Sequence, residues 1–226
     1  MESQNAAAHY DEKYFAFQKD MGEFGGWAET FKFAPYVAAD ATVVDFGCGG
    51  GFLLKNLNCS RRFGVEINDT ARSYAGKTNG ISAVKFARGL DDGVADLIIS
   101  NHALEHCIDP HGELACLLAK AKPGGRLVVF VPCESLRNRW FPGDVNNHLY
   151  SWNPMTLGNL LVSAGWEVES VEAFYHVWPP LYQHFAKLGA GFFHLCCRAY
   201  GLLRQRYSQV KIVAVNGNRK LTHFTG

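Results

Sequence analysis

Residues 43–54, VVDFGCGGGFLL, decide the fold of this chain. The apolar pair Val43-Val44 leads into Asp45, and glycines at 47, 49, 50 and 51 follow before apolar residues resume. This order predicts a buried strand, a turn too tight for side chains, and the start of a helix. Glycine suits such a turn because it reaches positive φ at little cost and lets a ligand approach the backbone. The stretch therefore predicts a binding loop for a nucleotide-type cofactor.

Length and composition indicate one folded domain. The 226 residues are 48% hydrophobic and 19% charged, as is typical of globular proteins. The formal net charge is +1, so no overall field attracts the chain to nucleic acid. Basic residues are scattered, apart from a mild cluster at Arg198, Arg204, Arg206 and Lys211. Nucleic acid is therefore not expected as a partner.

Cysteine usage predicts a reducing compartment. The seven cysteines are an odd number and form no C-x-x-C motif. The first residues, MESQNAAAHYDEKY, are polar and lack the apolar region of a signal peptide. No apolar stretch reaches the roughly 18 residues of a spanning helix. We therefore expect a cytoplasmic location without a transmembrane segment.

Apolar runs and helical segments alternate along the chain. We expect strands at 42–46, 62–66, 83–86, 95–100, 126–132, 166–174 and 209–216, and helices at 50–57, 69–76, 111–121 and 153–164. This alternation predicts an α/β fold in which helices cover both faces of a parallel sheet. The run ADLIIS at 95–100 is apolar enough for a strand buried on both faces.

Glu66 narrows the class of ligand. It ends the predicted second strand, FGVEIND, and stands 19 residues after Gly47. A carboxylate about 20 residues past the loop can accept hydrogen bonds from ribose hydroxyls, whether the ligand is NAD or S-adenosylmethionine (SAM). A G-x-G-x-x-G dinucleotide motif starting at Gly47 would need glycine at position 52, where Phe52 stands. NAD is therefore the less favoured of the two cofactors.

The order D-x-G-x-G-x-G at 45–51, together with segments 89–110, 123–132 and 148–172, resembles the motifs of class I SAM-dependent methyltransferases. The resemblance is closest to the small-molecule branch that includes ubiquinone-biosynthesis O-methyltransferases. It implies a Rossmann-like, mostly parallel sheet of seven strands in the order 3-2-1-4-5-7-6. The last strand is expected to be antiparallel, and helices to lie on both faces.

The resemblance also assigns residues to the SAM cofactor. Matched by position, Asp45, Gly47, Gly49 and Asn101 would border the methionine end, Glu66 would bind the ribose, and Ile67 and Leu90 would contact the adenine. SAM would then lie across the carboxyl ends of the central strands, as ligands of open α/β sheets do.

Two regions lie outside the best-matched part of the chain. Residues 1–40 are rich in aromatics and predict a helical cover or lid of two helices, broken near Gly25-Gly26. Residues 41–226 would form the SAM-binding domain, with a helical insertion at about 181–206. We expect the insertion to pack on the core or in an interface. Its basic residues leave open a contact with a membrane surface or a lipid-linked acceptor.

The segment 102–106 spells H-x-x-E-H, a pattern of zinc peptidases. That interpretation needs one continuous helix, whereas the segment follows a predicted strand and Pro110 comes soon after. In the ubiquinone branch the segment reads E-x-x-E-H and can carry a divalent metal. Because His102 replaces the first acid here, no resident metal is expected. Glu105 and His106 are expected to shape the floor of the pocket.

The sequence thus predicts a SAM-dependent methyltransferase that acts on a small-molecule acceptor. A hydroxyl oxygen of a quinone, phenol or sugar-like compound is the favoured target, and its proton must be removed. His148 is the first candidate base and His106 the second, with Asp144 and Tyr150 as neighbours. Two alternatives stay open: a non-catalytic SAM-binding protein of the same fold, and an NAD-dependent oxidoreductase.

Overall fold

The fold is described from a computed structural model, which describes residues 12–135, 137–144, 146–204 and 208–217. Its strands are β1 (Thr42–Phe46), β2 (Arg61–Val65), β3 (Ser82–Val84), β4 (Ala95–Asn101), β5 (Ala121–Cys133), β6 (Glu167–Phe174) and β7 (Ser208–Val215). They form one sheet of seven strands in the order β3-β2-β1-β4-β5-β7-β6. Only β7 runs antiparallel to its neighbours. The expected Rossmann-like fold and strand order are confirmed.

The two central strands are buried on both faces. Val44 and Ile98 pack into the apolar cluster on one face of the sheet, while Val43 and Ile99 pack into the cluster on the other. Side chains alternate between the faces of a strand, so such strands need cover on both sides. Asp45 pairs in register with Ile99, which places the carboxyl ends of β1 and β4 side by side. The loops that leave these ends therefore meet at one edge of the sheet, called here the carboxyl edge.

The helices are α1 (Glu12–Phe33), α2 (Asp69–Asn79), α3 (Pro110–Lys120), α4 (Pro154–Ser163), α5 (Tyr182–Lys187) and α6 (Ala190–Arg204). Several begin with a side-chain cap. The Asn68 amide oxygen accepts hydrogen bonds from two backbone N–H groups at the start of α2. Asn153 caps α4 by accepting a hydrogen bond from the Thr156 N–H, and Pro154 occupies the first turn, as the sequence predicts. These caps satisfy N–H groups that a helix leaves unpaired at its start.

The helix expected at 50–57 is wrong. The chain there forms turns and a single 3₁₀ turn, Leu54–Asn56. Gly51 has φ +77°, which interrupts a right-handed helix at its start. The Arg62 guanidinium then takes the carbonyls of Leu54 and Leu57 (3.1 and 2.5 Å), which a longer helix would need for its own hydrogen bonds. The cofactor loop is therefore not followed by a helix N-terminus that could bind an anion.

The two helices expected before residue 37 are one helix, α1, of 22 residues. Its glycines serve close packing and do not break it. A Cβ atom on Gly26 would overlap the Phe52 carbonyl, and one on Gly22 would overlap the Phe52 ring. Glycine at these positions lets α1 lie directly on the loop after β1. Residues 1–11 of the expected cover lie outside the described residues.

The insertion between β6 and β7 contains α5 and α6, separated by Gly189 with φ +108°. Phe174, the last residue of β6, pairs with Gln209, the second residue of β7. Because β6 ends and β7 begins at the carboxyl edge, the insertion leaves and rejoins the sheet there. Residues 205–207 lie outside the described part. Within the described residues, no helix is both long and apolar enough to cross a membrane.

Candidate active site

The loop after β1 is held tightly at the carboxyl edge. Its glycines adopt left-handed backbone, with φ +81° at Gly47, +52° at Gly49 and +77° at Gly51. The Gly47 N–H donates to the Val65 carbonyl at the end of β2 (2.9 Å). A Cβ atom on Gly47 would overlap the Cβ of Ala103, in the segment after β4. The loop thus joins three strand ends and leaves no room for a side chain at Gly47.

Two acidic residues line this loop. One carboxylate oxygen of Glu66 accepts from the Gly49 N–H (2.8 Å) and the other from the Asn68 N–H (2.7 Å). Burial raises the pKa of Glu66, although these two N–H groups oppose the rise. Asp45 is buried at the end of β1, and burial together with the nearby Glu66 raises its pKa to about 7. The structure therefore brings Asp45, Gly49 and Glu66 together at the loop.

The residues predicted for the adenine lie beside β2. Ile67 directly follows Glu66 and is half-buried. Leu90 is buried in the same apolar cluster as Val65, the last residue of β2. The Leu90 N–H donates to the Ala87 carbonyl (3.0 Å), so a backbone contact from Leu90 to an adenine would use its carbonyl. Their contact with an adenine stays a prediction.

Asn101, at the end of β4, has a partner that the sequence did not indicate. The Lys32 ammonium on α1 donates to the side-chain oxygens of Asn101 (3.1 Å) and Gln209 (2.7 Å), and it forms an ion pair with Glu29. Lys32 is buried, so these partners compensate for its lost hydration. Asn101 and Gln209 are 69 and 177 residues away along the chain. No local sequence pattern points to contacts of that kind.

The H-x-x-E-H segment forms a bend and a 3₁₀ turn, Leu104–His106, rather than an α-helix. The structure thus excludes the zinc-peptidase arrangement on one helix. Glu105 is fully buried, and its carboxylate lies 3.4 Å from Nδ1 of His102. Burial raises the pKa of Glu105, but the His102 and His106 imidazoles and a backbone hydrogen bond together lower it more, so the net shift is downward. His102 adopts φ +56°, which turns the chain after β4.

His148, the first candidate base, has a carboxylate partner. Its Nδ1 lies 2.8 Å from a carboxylate oxygen of Glu134, just past the end of β5. The ring of His106 packs edge-on against His148, with 4.9 Å between centroids. Burial lowers the pKa of His106, which keeps that imidazole neutral near pH 7. The sequence did not single out Glu134, because nothing in the local pattern places it beside His148.

Tyr150 and Asp144, the residues expected near His148, form hydrogen bonds with other partners. The Tyr150 hydroxyl donates to the Ile108 carbonyl (3.0 Å), and the Asp144 carboxylate accepts from the Asn146 N–H (3.2 Å).

Three residues near His148 have the spacing of metal ligands, counting His148 itself. Single ligand atoms of Glu105, His106 and His148 lie within 4.8 Å of one another, a distance at which the three residues could hold a metal ion. The expectation of no resident metal stays a prediction.

Aromatic side chains join α1 to the insertion above Lys32. The Phe31 ring lies 4.1 Å from the His194 ring and 4.5 Å from the His176 ring, measured between centroids. Trp27 packs on Phe193 (5.6 Å). Burial lowers the pKa of His176 to about 4, so this imidazole is neutral near pH 7. The N-terminal helix and the insertion therefore form one apolar layer beside the cofactor loop.

A protein-family comparison agrees with this geometry. Residues 18–171 match the family model described as "Methyltransferase domain". The match begins within α1, contains the glycine loop and strands β1 to β5, and ends within β6. No curated protein matches the sequence.

Solved structures share the fold at low sequence identity. A chain of the Haloferax volcanii complex that contains the Trm112 methyltransferase activator is 18% identical (TM-score 0.67), covering 92% of this chain and 96% of that one. A SAM-dependent methyltransferase from Archaeoglobus fulgidus is 19% identical (TM-score 0.62), covering 89% and 99%. The Haemonchus contortus phosphoethanolamine N-methyltransferase 2, solved with SAM, is 11% identical (TM-score 0.55), covering 90% and 60%.

Proposed function

The chain belongs to the methyltransferase-domain family, and from this premise we propose that it binds SAM and methylates a hydroxyl oxygen of a small molecule. One observation supports the cofactor above all others: the Glu66 carboxylate is held against the Gly49 N–H at the glycine loop. A carboxylate so placed has lone pairs left for ribose hydroxyls. The choice of a quinone, phenol or sugar-like compound as the acceptor rests on the sequence resemblance.

The residues at the loop fit SAM. Glycine at 47, 49 and 51 keeps the loop backbone free of side chains, and at Gly47 this lets the loop pack directly on Ala103 after β4. Asp45 offers a carboxylate for the ammonium group at the methionine end, and Glu66 offers one for the ribose. When bound, SAM supplies an electrophilic methyl group on a sulfonium sulfur. The chain then has to align the acceptor oxygen with that methyl group, since alignment accounts for much of the acceleration.

His148 would remove the acceptor's proton. With its Nδ1–H directed to Glu134, the imidazole would present the Nε2 lone pair as the base. SAM, held by Asp45 and Glu66, would supply the methyl group to the deprotonated oxygen and would be left as S-adenosylhomocysteine, with the electron pair of the former carbon–sulfur bond on sulfur. Glu134 would orient His148 and stabilise the imidazolium that forms. His106 is the second candidate base, and its ring also packs against the ring of His148.

The cofactor can be tested by calorimetric titration with S-adenosylhomocysteine (SAH), with NAD run in parallel. We expect SAH to bind with a Kd on the order of micromolar, about −8 kcal/mol, and NAD to give no heat of binding. NAD binding without SAH binding would instead favour the oxidoreductase. SAH release from SAM with a panel of phenols, hydroquinones and glycosides then tests turnover. Tight SAH binding without turnover of any of these acceptors would favour the non-catalytic alternative.

The raised pKa of Asp45 predicts pH-dependent cofactor affinity. With a pKa of about 7, Asp45 is mostly protonated at pH 6 and mostly ionised at pH 8. Only the ionised form attracts the SAH ammonium group, so affinity should rise about tenfold from pH 6 to pH 8. Binding below pH 7 should release a proton, which calorimetry in buffers of different ionisation enthalpy detects. Asp45→Asn should lose this pH dependence. A wild-type affinity that does not change between pH 6 and pH 8 would contradict the assignment.

A further inference from the structure

Helix α6 has two faces with different environments. Its inner face is fixed: Phe193 and Cys197 are fully buried with Ala28 of α1, and a Cβ atom on Gly201 would lie 2.9 Å from the backbone of Tyr175. Its outer face carries large apolar side chains that are exposed. This exposed apolar stripe consists of Phe192, Leu195, Leu202 and Leu203 on α6, together with Leu188 just before the helix. The four residues within α6 follow helical spacing, so they lie along one side of that helix.

The chain from the insertion onward carries side-chain charge of a single sign. Glu172 is the last acidic residue of the sequence, so the 54 residues from 173 to 226 contain no carboxylate side chain. Lys187 at the end of α5 and Arg198 and Arg204 on α6 are exposed. An amphipathic helix with apolar residues on one side and only basic charges is typical of helices that lie in an anionic membrane interface. A second copy of this chain fits less well, because stripes packed together would bring arginines close without carboxylates to pair them.

The topology relates the stripe to the active site. The insertion leaves β6 and enters β7 at the carboxyl edge, where the loop after β1 also lies. Lys32 joins this region directly to the end of β4, since it contacts both Gln209 of β7 and Asn101. A surface that received α6 would therefore lie on the side of the molecule where the acceptor must enter.

We propose that α6 binds the headgroup region of an anionic membrane and that the acceptor is presented from that membrane. The stripe enters the apolar boundary of the bilayer, and Lys187, Arg198 and Arg204 contact lipid phosphates. Membrane binding stands on the exposed stripe and its charges alone, whereas the lipid-borne acceptor rests on the proposed methyl transfer. The acceptor class is then a hydroxyl-bearing head group attached to an apolar chain.

The test is co-sedimentation of the full chain with vesicles of phosphatidylcholine alone or of phosphatidylcholine with about 30% phosphatidylglycerol. We expect at least tenfold stronger binding to the anionic vesicles, weakened by high salt. Leu195→Glu should lower binding to anionic vesicles at least tenfold, because it puts a carboxylate into the stripe. Val162→Glu is the matched control, since Leu195 and Val162 are 65% and 60% exposed and Val162 lies on α4. The control should bind like the wild type.

Several results would overturn the proposal. These are equal binding to both vesicle types, no binding to either, or the same loss in both variants. The proposal would also be overturned if the wild-type protein were a dimer that does not bind vesicles and Leu195→Glu converted it to monomers. The stripe would then be a contact between copies. SAH titration of both variants separates this proposal from the cofactor assignment. An unchanged SAH affinity in Leu195→Glu shows that the fold and cofactor site are intact while membrane binding is lost.

Discussion

Glu66→Ala should weaken SAH binding at least 100-fold. The carboxylate is expected to accept hydrogen bonds from both ribose hydroxyls, and bonds to a charged group contribute about 1.5–3 kcal/mol each. Losing two of them corresponds to a factor of about 100 or more in Kd. The substitution also removes the acceptor that holds the Gly49 N–H, so the loop loses a contact that shapes it. Calorimetric titration with SAH measures the effect.

Glu169→Ala is the control for the Glu66 experiment. Glu169 is an exposed acidic residue of β6 whose described partner is Arg126, away from the glycine loop. We expect its SAH affinity to match the wild type, and the thermal unfolding of both variants shows whether they are folded. A Glu66→Ala protein that is folded and binds SAH within about threefold of the wild type would contradict the cofactor assignment.

His148→Ala should lower kcat by about two to four orders of magnitude, the usual contribution of a general base. The measurement uses the acceptor from the phenol, hydroquinone and glycoside panel that gives the fastest SAH release. SAH affinity should stay unchanged, because His148 is assigned to the acceptor and not to the cofactor. Glu134→Gln should reduce kcat less than His148→Ala, since it leaves the imidazole present but weakens its orientation.

Tyr150→Phe serves as the neighbouring control for His148. The Tyr150 hydroxyl donates to the Ile108 carbonyl, so its removal should leave kcat within a few-fold of the wild type. If His148→Ala turned over at the wild-type rate while His106→Ala did not, the base would be His106. If neither variant lost activity, methyl transfer here would need no histidine base, and the acceptor would be one that is already deprotonated.

The sheet could be predicted from sequence because its signals are local. An apolar run such as ADLIIS at 95–100 is typical of a strand covered on both faces. Asn153-Pro154 marks the start of α4 for reasons confined to one helical turn. The predicted helix at 50–57 and the predicted helix break near Gly25-Gly26 were wrong because distant residues decide the structure at both places. Arg62 takes the carbonyls that would have continued a helix, and Phe52 packs against glycines that look like breaks in the sequence.

The sequence by itself determined the class of fold, the strand order through its family resemblance, and a glycine loop paired with a carboxylate at Glu66. Only the tertiary structure decided what surrounds that loop. It placed α1 on the loop, joined Lys32 to Asn101 and Gln209, and set Glu134 against His148. Strand and turn propensities act over a few residues, so one chain displays them directly. A contact between residues 69 or 177 positions apart depends on which strand ends share an edge, and that is known only once the sheet has assembled.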